Sequence, residues 1–145
     1  MQLRRVVITG LGCVSPFGRG VAALTDGLEA GRSAVRRMEG WDQYTGLRSQ
    51  VGAPAELRDE KRIPRQSRRS MGRMSIFAVQ AAEDALADAG LDAGAATSGR
   101  MGCVVGSTTG SAISISQAFE TLLPDRDLTK LSSMAFFHCL SHTAA

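Results

Sequence analysis

An α/β fold is what this sequence predicts, and three observations carry the prediction. Leu3–Thr9 is a short β-branched run with the look of a buried strand, and Arg100–Gly106 is a second one. Between them, apolar side chains recur at helical spacing from about Ser70 to Ala89. Aromatic residues make up only 5% of the chain, so the core must rest on Val, Ile, Leu, Met and Ala, which suit close packing of helix on sheet. Strand, helix, strand with long crossovers predicts a partly parallel sheet.

The elements follow in order. After the first strand, Gly10, Gly12, Ser15, Pro16 and Gly18 break the pattern. Gly20–Ala30 reads as a helix with Val21, Leu24 and Leu28 on one side and Gly31 as its stop. Residues 32–63 have weak periodicity and predict loops, with one short strand near Leu47–Ala53. In the long helix, Met74, Phe77, Ala78, Ala81, Ala82, Ala85, Leu86 and Ala89 form the apolar face. Gln80, Glu83, Asp84, Ala87 and Asp88 form the opposite, mostly polar one. Gly90-Leu91 has the pattern of a left-handed glycine stop. Ser107–Ser111 is a loop of small residues, Ala112–Leu123 a helix ended at Pro124, and Ser132–Ala145 an apolar helix-like run. That run stops without cap, glycine or polar tail, so residues 1–145 read as one domain cut at its C-terminal end.

Composition narrows the function. At 43% hydrophobic and 21% charged residues the chain falls in the globular class. No apolar run approaches the roughly 18–20 residues of a membrane span, and the apolar stretch after Arg4-Arg5 is too short for a secretory leader. A cytoplasmic location is therefore expected, with no membrane partner. Three cysteines (Cys13, Cys103, Cys139) without a CxxC pattern suit reduced thiols, and Cys13 and Cys103 are expected in the core. Charge is unevenly placed. Residues 58–73 hold seven Lys/Arg against Asp59 and Glu60, leaving +5, whereas the other 129 residues carry −2. Such a patch points to an anionic partner. Nucleic acid is disfavoured, because no aromatic residues interleave and no recognition motif is present.

Four stretches together resemble the β-ketoacyl-acyl carrier protein synthases. Arg4–Gly12 followed by Ser15-Pro16-Phe17-Gly18 is similar to the opening strand and loop of that family. Leu28–Ser33 resembles the end of its first helix, Ala81–Leu91 its long helix, and Arg100–Ser107 the strand after it. All four fall in the family's order, and matching is loose only over residues 36–63. The resemblance implies the N-terminal part of a thiolase-like fold: an incomplete mixed sheet with packed helices, in an enzyme that works as a homodimer. The implied reaction is an acyl transfer followed by decarboxylative Claisen condensation with malonyl-acyl carrier protein, in fatty-acid or polyketide biosynthesis. In the family a cysteine at a helix N-terminus is the nucleophile, since the helix dipole favours the thiolate, and two histidines assist it. None of those three matches a position in residues 1–145, so this chain alone is expected to be inactive. A non-catalytic dimerising or carrier-docking module, and one half of a split enzyme, are the alternative readings.

Four motifs have both a functional and a structural reading. His138-Cys139-Leu140-Ser141-His142 offers two histidines at helical spacing, but zinc needs three or four ligands and no third is evident. A Cys–His nucleophile needs an orienting group as well. Packing is the preferred reading, and the resemblance places Phe136, Phe137 and His138 at the acyl pocket and dimer contact. Gly10-Leu11-Gly12 lacks the third glycine of a dinucleotide loop, since position 15 is Ser15, and it reads as a tight turn. Gly106–Gly110 lacks the lysine of a phosphate loop. The resemblance instead puts Thr108 and Thr109 beside the acyl chain. No metal and no cofactor is expected. Finally, Arg65-Gln66-Ser67-Arg68-Arg69 resembles the family's basic turn that docks acyl carrier protein, which assigns Arg65, Arg68 and Arg69 to docking. A solvated charge run is the bland alternative.

Overall fold

The computed structural model describes residues 4–140, and within them every side chain but that of Ala93. They form two compact units. The first comprises the described residues through Glu56 together with Ala81–Gly90, and the second comprises Leu57–Gln80 and the described residues from Leu91 onward. The long helix thus contributes its first half to one unit and its second half to the other.

In the first unit, strands β1 (Val14–Ser15) and β2 (Gly18–Arg19) make a tight antiparallel hairpin. Ser15 closes it: its Oγ donates to the Gly18 carbonyl and accepts from the Phe17 N–H, both at 3.2 Å. Helix α1 (Val21–Glu29) follows and stops where Gly31 turns left-handed at φ 62°. Its packing differs from the pattern. Val21 and Leu28 are exposed, and the buried residue is Gly27, seated against the Phe17 ring. Strands β3 (Arg36–Arg37) and β4 (Val51–Gly52) pair antiparallel, so the short strand expected near Leu47–Ala53 is present.

The second half of α3 (Arg73–Asp88) organises this unit. A Cβ added at Gly12 would lie 1.9 Å from the Ala81 carbonyl oxygen, and one at Gly10 would lie 2.2 Å from that of Ala85. The chain therefore crosses the helix backbone to backbone, which only glycine permits. The helix's polar residues hold the same region. Asp88 accepts from the Leu11 N–H at 2.9 Å, and Asp84 accepts from Arg19 Nε at 2.8 Å. Glu83 lies 3.2 Å from the Arg19 guanidinium. These bonds, Asp84 foremost, hold the Arg19 proton more tightly than in a free arginine.

In the second unit, Ile63 is buried just before α2 (Arg65–Arg68), and the first half of α3 carries the buried residues Ser75, Ile76 and Gln80. Helix α4 (Ala93–Thr97) is capped by Asp92, whose carboxylate accepts from the Ala95 N–H at 2.8 Å. Helix α5 (Ala112–Leu122) is capped by Ser111 and ends just before Leu123-Pro124, as the sequence predicts. Helix α6 (Ser133–Cys139) is capped by Ser132. Leu140 is extended, so the helical run closes at Cys139; residues 141–145, including His142, lie outside the described residues.

Both expected strands need correction. Among the described residues, 4–9 and 100–106 join no ladder, and the two sheets present are antiparallel pairs. A strand exists through its hydrogen-bonded neighbour, and neither run has one here. Val6, Ile8 and Val104 are accordingly exposed, Val104 at 97%. Cys103 shares that exposure, against the core reading, while Cys13 is partly buried.

Candidate functional site

The basic segment is built on a buried base. Ile63 and Ile76 are 4% and 5% exposed, and Gln80 is 2% exposed. Gln80 Nε2 donates to the Arg58 carbonyl at 2.6 Å, so a residue expected on the polar face of α3 is inside. Nothing in the helical pattern could signal this, because the partner is a main-chain oxygen. The segment then runs through the turn Glu60–Arg62 into α2. Pro64 precedes α2, where its missing N–H costs no helical bond.

The cations fall into two groups. Lys61, Arg62, Arg65 and Arg69 are exposed, and none is in an ion pair among the described residues. Arg68 is different. Its side chain is only 25% exposed, and its Nη1 lies 3.9 Å from Glu60 Oε1 with no hydrogen-bond partner among the described residues. Of the three arginines assigned to docking, Arg65 and Arg69 present their charge outward and Arg68 braces the turn.

The turn after α2 meets the end of α6. His138 Nε2 is 2.8 Å from the Arg69 carbonyl. A Cβ added at Gly72 would lie 2.9 Å from the His138 carbonyl oxygen, so the two backbones are in close contact there. His138 also lines a groove of about 260 Å³ formed with α5 and the chain before α6, whose wall includes Ser114, Gln117, Lys130 and Ser132. Lys130 is paired with Asp125, which neutralises its charge. Phe136 and Phe137 stack edge to face with ring centres 5.7 Å apart, and they are 65% and 41% exposed. Thr108 and Thr109 are exposed on the loop before α5. The structure thus joins His138 to the basic turn, a contact that residue spacing did not foretell. Among the described residues, no three His, Cys, Asp or Glu side chains cluster as metal ligands. No helix in them is long and apolar enough to cross a membrane.

Comparison with known proteins places this architecture. The chain superposes on a crystal structure of a β-ketoacyl synthase from Burkholderia phymatum with a TM-score of 0.80 at 41% identity, covering 99% of this chain and 35% of that one. It is 34% identical to 3-oxoacyl-[acyl-carrier-protein] synthase 2 of Coxiella burnetii over 85% of its own length and 30% of the relative's. It is 33% identical to the tetracenomycin polyketide synthase ketoacyl synthase alpha subunit of Streptomyces glaucescens, over 98% of its own length and 31% of the relative's. The chain spans less than a third of the length of these curated relatives. Its structural neighbours are thiolase-like, as expected from the sequence. With residues 3–145 matching the model of the β-ketoacyl synthase N-terminal domain, the chain belongs to the β-ketoacyl synthase family.

Proposed function

We propose that residues 1–145 are the N-terminal-domain portion of a 3-oxoacyl-acyl carrier protein synthase. The complete enzyme accepts an acyl group on a cysteine and condenses it with malonyl-acyl carrier protein, releasing carbon dioxide. The match of the family model across residues 3–145 carries this reading. The nucleophile lies outside these residues, and Cys13, Cys103 and Cys139 take no part in acyl transfer. The complete enzyme is a homodimer in the cytoplasm.

Two surfaces serve that reaction. Arg65 and Arg69, with Arg68 bracing them, receive the acidic face of acyl carrier protein. The outward charge of Arg65 and Arg69, which make no ion pair among the described residues, supports this role, because such cations are free to meet a carboxylate. Thr108, Thr109, Phe136, Phe137 and His138 border the acyl chain and the dimer contact; the exposed phenylalanine pair supports this, being apolar area that an acyl chain or second subunit would cover. Reversal of Arg65 and Arg69 to Glu in the complete protein tests the docking role. Carrier affinity is expected to fall by about 10-fold or more at low salt, with a shallower salt dependence. Unchanged affinity at low salt would reject docking. Acyl loading of residues 1–145 from acyl carrier protein, followed by mass spectrometry, is expected to leave all three cysteines free.

A further inference from the structure

We propose that Gln80 is a positioning residue for carrier-protein docking: its buried amide fixes the main chain at Arg58 and thereby presets where Lys61, Arg62, Arg65 and Arg69 stand. The inference rests on the docking role proposed above and adds a residue that does not itself touch the carrier.

An amide withdrawn from water is unfavourable unless it is hydrogen-bonded, so a Gln that is 2% exposed has a strong demand for a partner. Gln80 finds one in the Arg58 carbonyl at 2.6 Å, across 22 residues of sequence. The acceptor is main chain, so the bond specifies where the backbone lies and is indifferent to the side chain at position 58. The following turn is closed by Arg62 N–H to Asp59 carbonyl at 3.0 Å and Ile63 N–H to Glu60 carbonyl at 3.1 Å. At the far end, His138 holds the Arg69 carbonyl at 2.8 Å. The run from Arg58 to Arg69 is thus tied at both ends by a side chain gripping a carbonyl.

Such tethering matters because the segment carries a net +5 over residues 58–73 and its charges repel one another. A loose segment would lose conformational freedom when the carrier binds, whereas a fixed one has already lost it on folding. Removing the Gln80 tether leaves every charge in place. Long-range attraction and its salt dependence should persist, while the fit at close contact should weaken. Reversing the arginines does the opposite, changing the salt dependence itself.

The test uses the complete protein with Gln80→Met, close in shape but without a donor, and with Gln80→Asn, too short to reach Arg58. KM for acyl-acyl carrier protein is expected to rise about 3- to 10-fold, with kcat within about twofold and the salt slope unaltered. KM for a small acyl thioester lacking the carrier should stay at the wild-type value. An equal rise for both substrates would overturn the inference in favour of general destabilisation. So would unchanged carrier KM in folded variants when Arg65→Glu/Arg69→Glu weakens binding. Should the arginine reversal itself have no effect, docking at this patch fails, and the Gln80 role with it. Hydrogen exchange on the wild type needs no variant: the Arg62 and Ile63 amides should be protected before carrier is added. Protection that appears only with carrier would overturn the proposal.

Discussion

Gly10–Cys13 and Gly102–Gly106 are built from the same kinds of residue, two glycines spaced among apolar side chains, yet they are held differently. The first lies on α3 so closely that a methyl group at Gly12 would sit 1.9 Å from a carbonyl oxygen, whereas a methyl group at Gly102 or Gly106 meets nothing within 4 Å among the described residues. Asp88 binds the Leu11 N–H and Asp84 binds nearby Arg19. Val104 stands 97% exposed. An apolar run becomes structure only when another element supplies both a surface to cover it and partners for its backbone. Helix α3 supplies both to the first run.

Substitutions can break or sharpen this contrast. The largest effect belongs to Gly12→Ala, which should destabilise the complete protein by about 3–5 kcal/mol by forcing chain and helix apart. A shift in denaturation midpoint equivalent to less than about 1 kcal/mol would mean that the crossing yields easily. Next is Arg19→Ala, which leaves two carboxylates on α3 without their shared cation and should cost roughly 1–2 kcal/mol. Because the Arg19 pKa is raised, its stabilisation is complete below the ordinary arginine value and disappears only as pH climbs past the raised one. The loss measured for Arg19→Ala should therefore show no dependence on the arginine's own titration between pH 6 and 9, roughly the neutral range. The smallest effect is expected for Val104→Thr in residues 1–145, under about 0.5 kcal/mol, since the side chain there is already in water. A large loss would show that this run is packed in solution.

Much of the fold was legible from local signals. The helices α1, α3 and α5 follow from periodicity, the ends at Gly31 and Gly90 from glycines that turn left-handed, and the close of α5 from Pro124. Helix α4 was missed, although Asp92 followed by small residues is a cap signal. The basic patch was legible as charge. Its internal division was not, because Arg65 and Arg68 are the same residue type, and only the folded turn leaves one exposed and brings the other, partly buried, near Glu60. The two predicted strands read correctly as apolar runs, but pairing is a property of neighbours that hydropathy does not contain.

Sequence by itself determined the family, the longer helices α1, α3 and α5 and the concentration of positive charge, since each depends on residues close together in the chain or on their order. Only the tertiary structure decided that Gln80 is buried on the Arg58 carbonyl, that His138 grips Arg69, and that Cys103 faces water. Those outcomes depend on main-chain groups brought together from distant positions. A carbonyl oxygen is identical at every residue, so no side-chain pattern announces which one will be met.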